Sequence, residues 1–335
     1  MTRRYLLGVV VALSSLDVLA QAPGQTFVAR GEGVRVDVLV TDGGHPVVAL
    51  QASDFEVLDN GVPQRVDTAT TAGHLSIAVV LDTSADIVFS HLLDDLLRSG
   101  QIVANTLQPG DRASLLVFSD RLSLPVVGTH DPKMLHQALA KLTAYNDGVR
   151  SSDFNAVSDW SLIRQFGRSA VWDAVYVGGS LVVGEDGRAI VVLLSNSQDT
   201  ASWLLSDGPD DASWNRQERQ KTVDGLVRSG IVVDTIWPSR SISARADFAY
   251  ARPRPTAVSD ATGGEAFYSR DDKLVQRLTS RFEALRSGYV ITFTPTGVKR
   301  DDGWHRLTVR LKNKSGSVKA RDRYFASAPA KSVGR

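Results

Sequence analysis

The chain has 335 residues, a formal net charge of +1 and no cysteine. Near-neutrality gives no basic field for nucleic acid and no acidic tail, and the lack of thiols excludes disulfides, thiolate catalysis, cysteine-ligated zinc and lipid attachment through a lipobox cysteine. The length suits about two domains, and an apolar content of 43% suits a substantial core.

Arg3 and Arg4 before the apolar run Leu6–Leu13 read as an export signal, with cleavage expected after Ala20. The run is too short to span a bilayer comfortably, so no stable membrane span is expected once the signal is removed. The general secretory route is favoured, with Thr2-Arg3-Arg4-Tyr5-Leu6-Leu7 compatible with a twin-arginine route and an uncleaved anchor as the competing reading. The mature chain is expected in the periplasm or the medium.

Gly33–Val40 alternates polar and apolar residues as a half-buried strand does, and Thr41-Asp42-Gly43-Gly44 breaks it with a turn. Phe55–Val66 carries Asn60-Gly61 between strand-like runs, a hairpin signal. At the other end, Tyr289–Thr294, Trp304–Leu311 and Val318–Arg321 read as strands. Neither terminal segment has enough strands to bury a sheet alone, so the two are expected to pair into one small β-sandwich. Between them strands at 76–82, 112–118, 122–127, 189–195, 231–236 and 265–268 alternate with helices at 90–106, 132–143, 170–180, 214–229 and 272–286. Such alternation predicts an α/β unit with a doubly wound, mostly parallel sheet. The expected division is a signal at 1–20, sandwich segments at 27–72 and 288–327, and the α/β domain at 73–287.

The most informative stretch is Leu75–Asp86, where a buried-strand pattern ends in Asp82-Thr83-Ser84-Ala85-Asp86. In open α/β sheets ligands bind at the carboxyl ends of strands, and clustered carboxylate and hydroxyl oxygens suit a hard cation such as Mg²⁺. A second reading makes this a relic loop, with Asp86 capping the next helix and Ser84 bonding backbone.

Asp-x-Ser-x-Asp after a buried strand resembles the metal-ion-dependent adhesion site of von Willebrand factor type A domains, usually Asp-x-Ser-x-Ser. Gly167–Ala174 resembles that family's Gly-Gly-Thr-Ala-Leu-Tyr-Asp-Ala segment, and Ile190–Ser197 its strand ending Leu-Thr-Asp-Gly. The resemblance covers nearly the whole mature chain and is closest to the secreted, acidobacterial group of such proteins. It implies a doubly wound domain inserted into a β-sandwich, with a cation held by Asp82, Ser84, Asp86, Ser169 and Asn196. That ion is expected to be Mg²⁺, with Mn²⁺ or Ca²⁺ as substitutes. Three positions depart from the family: Asp86 replaces a serine, Ser169 a threonine and Asn196 an aspartate. The implied role is non-enzymatic binding of an acidic group on a protein partner, the alternatives being a metal-independent scaffold and, behind it, a hydrolase.

Two polar segments offer partner surfaces. Asp199–Asn215 carries Trp203 and Trp214 beside acidic residues, and Ser239–Val258 interleaves Arg240, Arg245, Arg252 and Arg254 with Phe248 and Tyr250. Packing tryptophans and a solvated connector are the simpler readings. The six histidines, His45, His74, His91, His130, His136 and His305, form no metal-protease or hydrolase motif. Asp173 and Asp199 are the weak acid/base candidates near the expected rim.

Overall fold

The computed structural model describes residues 33–43, 45–151, 169–185, 187–197, 212–238 and 257–328. The chain opens with β1 (Val34–Asp42) and the short β2 (His45–Pro46), followed by β3 (Phe55–Asp59), β4 (Val62–Gln64) and β5 (Val66–Thr71). The central part runs β6 (Leu75–Asp82), α1 (Ala85–Phe89), α2 (Leu93–Asn105), β7 (Arg112–Phe118), β8 (Leu122–Thr129) and α3 (Pro132–Ser151). It continues through α4 (Val171–Ser180), β9 (Arg188–Leu194), α5 (Ala212–Arg228), β10 (Val232–Trp237), α6 (Ala257–Thr262), β11 (Ala266–Tyr268) and α7 (Leu274–Ser287). The strands β12 (Tyr289–Phe293), β13 (Gly303–Leu311), β14 (Ser317–Ala320) and β15 (Arg323–Ala326) complete it.

The six-stranded sheet has the order β11-β10-β9-β6-β7-β8. Its strands are parallel except β8, which returns antiparallel along β7. All eight residues of β6 are buried, which explains its unbroken apolar run, since a central parallel strand is covered on both faces. Alternation divides them: Leu75, Ile77, Val79 and Leu81 join a core with Leu96 and Leu97 of α2, Leu139 of α3 and Phe282 of α7. Ala78 and Val80 face the opposite core with Trp172 and Val175 of α4 and Leu226 of α5. Helix α4 comes unusually close to β6, because a Cβ added at Gly178 would lie 2.6 Å from Val80 Cγ2.

The expected helix at 90–106 is corrected to two pieces, α1 and α2, separated at Ser90–Leu92. His91 adopts a left-handed φ of 54°, which no continuous α-helix accommodates. The buried face of Leu92, Leu93, Leu96 and Leu97 is present as expected.

The terminal strands form two antiparallel sheets, one ordered β14-β1-β12-β5 with β2 on β1, the other β15-β13-β3-β4. They pack through Val36, Val38, Tyr289, Ile291 and Phe293 from the first sheet against Phe55, Val57, Leu307 and Tyr324 from the second. This is the β-sandwich expected from both ends of the chain. Asn60 and Gly61 turn the β3–β4 hairpin with φ of 48° and 84°, both left-handed as a type I′ turn requires.

Buried ion pairs tie elements distant in sequence. Arg281 of α7 makes a two-pronged contact with Asp234 of β10 at 3.0 Å on each side. Arg286 at the end of α7 bonds Asp111, whose carboxylate also accepts the N–H groups of Leu75 at 2.8 Å and Gln108 at 2.9 Å. Removing one partner of a buried pair leaves an uncompensated charge. Asp111→Ala should therefore destabilise the protein by ~3–5 kcal/mol in a urea titration, whereas Arg98→Ala, whose side chain is 65% exposed, should shift stability by no more than ~0.5 kcal/mol.

Candidate functional site

The chain leaves β6 toward β7 on one side, and β9 lies on the other, so the sheet changes winding direction between β6 and β9. In open α/β sheets ligands bind outside the carboxyl ends of two such strands, and Asp82 and Ser195 lie at that position. Leu81 pairs with Leu194, which brings the two following residues side by side.

Asp82 is wholly buried. One carboxylate oxygen, Oδ1, accepts the backbone N–H of Ser84 at 3.0 Å. The other, Oδ2, accepts the hydroxyls of Ser169 at 2.9 Å and Ser195 at 2.7 Å. Ser195 Oγ in turn accepts the N–H of Ser197 at 2.9 Å, which folds the β9 exit loop back over the strand. Loss of water pushes the Asp82 carboxyl above its ordinary value, with the Ser195 hydroxyl acting in the opposite direction. Among the described residues, the other buried aspartates of the α/β unit, Asp111, Asp234 and Asp95, each have an arginine, whereas Asp82 has only neutral donors.

The neighbouring loops are held rigidly. Thr83 donates its N–H to Phe118 O at 2.8 Å and its hydroxyl to the same oxygen at 3.1 Å, pinning the β6–α1 turn to the end of β7. Ala170 donates to Ser119 O at 3.0 Å, which sets Ser169 at the mouth of α4. The expectation of Asp86 as helix cap is corrected: the N-cap is Ser84, and Asp86 lies in the first turn of α1, where its charge meets the positive helix end. Ser84 makes no capping bond, and its buried hydroxyl, unpartnered by strict geometry among the described residues, lies close enough to Asp82 to favour its ionised form. The buried Ser197 hydroxyl likewise meets no partner among the described residues, and Ser197 holds a left-handed φ of 56°.

Of the expected ligands, the structure joins Asp82, Ser84 and Ser169 directly through hydrogen bonds to Asp82. Asp86 stands one turn on in α1, partly buried, and Asn196 follows Ser195 and is 5% exposed. Sequence reasoning missed Ser195 and Ser197. Their signal was the run Leu194-Ser195-Asn196-Ser197, in which hydroxyls flank the position compared with an aspartate. Trp203 and Asp199 lie outside the described residues, as do Arg240, Arg245, Arg252 and Arg254. Trp214 belongs to the first turn of α5, which begins inside the expected loop. Asp173 is exposed in the first turn of α4.

The donor set tests which ion the cluster suits. No three histidine, cysteine, aspartate or glutamate side chains gather as a metal site among the described residues. The available donors are carboxylate, hydroxyl and amide oxygens, the ligand type of Mg²⁺, Mn²⁺ and Ca²⁺ and not of soft metals. A buried carboxylate with no cationic partner among the described residues, beside the buried hydroxyl of Ser84, fits such a cation.

No protein-family model and no curated protein matches the chain. Among solved structures, a von Willebrand factor type A protein from Catenulispora acidiphila aligns over 86% of this chain and 76% of its own at 8% identity, TM-score 0.42. The vWF domain of the type V pili tip protein Mfa5 from Porphyromonas gingivalis aligns over 64% and 96% at 10% identity, TM-score 0.40. Proximal thread matrix protein 1 from the mussel byssus, with a zinc-occupied MIDAS motif, aligns over 67% and 48% at 17% identity, TM-score 0.37. Overlaps this loose carry no argument about function. The chain's own sheet order, with Asp82 at its winding reversal, is a doubly wound α/β sheet beside a β-sandwich, the fold that the sequence resemblance implies.

Proposed function

We propose that this chain is an exported, non-enzymatic interaction module that recognises an acidic group of a protein partner through a divalent cation at the β6–β9 crevice. The observation that carries the reading is Asp82: a wholly buried carboxylate met, among the described residues, by hydroxyls and one N–H and by no cation, next to the buried hydroxyl of Ser84. Asp82, Ser84, Asp86 and Ser169 would hold the ion, with Asn196 beside them, and Mg²⁺ is the favoured occupant. A bound cation supplies a positive centre whose shell a partner's carboxylate completes. Ser169 and Ser195 contribute by spending their protons on Asp82, so that their lone pairs are left for other contacts.

Export is supported by the leader-like residues Arg3–Leu13, with the periplasm or the medium as destination. No described helix is long and apolar enough to cross a membrane. The non-catalytic reading is supported by the histidines' structural bonds: His130 to Asp111 O, His136 to Gln101 and His305 to Asp59.

An immobilised acidic peptide should retain the purified protein in Mg²⁺ and release it with a chelator, and Asp82→Ala should abolish retention. Chelator-insensitive retention would replace this reading with a metal-independent scaffold. A second expected outcome follows from the raised Asp82 carboxyl. Because the folded state holds the proton more tightly than the unfolded chain, ionising Asp82 detracts from stability as pH rises from the unfolded value near 3.8 through the higher folded value. In metal-free protein Asp82→Asn should remove that falling component from a series of urea midpoints measured across this range. An unchanged pH profile would show that Asp82 carries no such penalty.

A further inference from the structure

A second unbalanced cluster lies where the sandwich meets the α/β unit. A cavity there is lined by Asp37 and Leu39 of β1, Arg188 at the start of β9, Gly230, and Lys319 and Arg321 at the end of β14. The space open to the centre of a water-sized sphere is ≈ 30 Å³. One water needs about 10–15 Å³ on this measure, so the cavity takes roughly two waters or one compact ion.

Its charge is uneven. Arg188 is wholly buried; its Nε donates to Asp37 Oδ1 at 3.1 Å and its Nη2 to Tyr289 O at 2.8 Å, while the buried Nη1 has no hydrogen-bond partner among the described residues. Arg321 donates from Nη1 to Val227 O and from Nη2 to Arg35 O, both backbone carbonyls, and its buried Nε also meets no partner among them. Lys319, 43% exposed, donates to Gly264 O at 2.8 Å and pairs with Glu265 at 3.7 Å. Among the described residues the two guanidiniums of Arg188 and Arg321 therefore share one lining carboxylate, Asp37, which is already engaged by Arg188. Burial draws the Arg321 guanidinium down to about 10, against the influence of Asp37, which leaves it charged at neutral pH.

A buried N–H without a partner and a buried charge without a counter-ion are both unfavourable. Water would satisfy the first need and not the second. We propose that this cavity binds one small monovalent anion of chloride size, which receives the Arg188 Nη1 and Arg321 Nε protons and locks the β-sandwich to the α/β unit. The narrow space favours a compact ion over a large oxyanion or an organic acid. The anion touches β1, β9 and β14 together and so acts as a clamp between the two parts of the fold, independent of the Asp82 crevice.

The test uses the full mature chain. Its thermal midpoint should rise in sodium chloride over sodium gluconate at equal ionic strength, by on the order of 2–4 °C, since a ligand that binds only the folded state stabilises it. Arg321→Gln should lose the difference between the two salts, whatever its own baseline. Crystals grown in sodium bromide should show an anomalous peak in this cavity next to Arg188 and Arg321. That peak decides the matter if Arg321→Gln does not fold. Equal midpoints in the two salts for the wild type, or ordered waters with no anomalous signal at the cavity, would overturn the proposal.

Discussion

Burying a carboxylate without a cation is the constraint around which this molecule is arranged. Elsewhere the chain settles the same problem with arginine: Asp234 against Arg281, Asp111 against Arg286 and Asp37 against Arg188. In the sandwich, wholly buried Asp59 is met by His305 at 2.7 Å and by the Tyr324 hydroxyl. At the end of β6 no such partner is supplied among the described residues. Three neutral donors take up the oxygens of Asp82, and hydroxyl–carboxylate bonds soften desolvation without cancelling the charge. A site kept in that condition is suited to an ion that arrives from outside.

The fold makes the arrangement possible. A strand covered on both faces supplies a stiff platform, and reversal of winding between β6 and β9 brings Asp82 beside Ser195, which lies 113 residues away in sequence. Close packing of α4 on β6 at Gly178 then fixes the entry of that helix, where Ser169 points at the same carboxylate oxygen. The sandwich is joined to the α/β unit through charged contacts and through Arg228, stacked 3.7 Å above the Phe325 ring.

Much of this was legible in the residues because burial leaves strong patterns. β6, β7 and β9 stand out as apolar runs of the right length, and Asn60-Gly61 announces its hairpin. What escaped was set by context. β5, Val66–Thr71, is rich in threonine and takes its identity from pairing with β12, and β15, Arg323–Ala326, is too short to show a period. The break between α1 and α2 turns on the left-handed backbone of His91, which no apolar spacing encodes. Within the site, Asp82, Ser84 and Ser169 were readable from motif position. The parts played by Ser195 and Ser197 depend on how the β9 exit loop folds back, a tertiary fact carried by a single N–H to hydroxyl bond.

The central claim is that Asp82 and its serines form a cation seat. Calorimetric titration of the metal-stripped mature protein with Mg²⁺ and with Mn²⁺, repeated on Asp82→Ala and Ser169→Ala, tests it most directly. The account predicts saturable binding of one ion per chain in the wild type and its loss in both folded variants. An absence of heat in the wild type, or affinity that survives in Asp82→Ala, would contradict it.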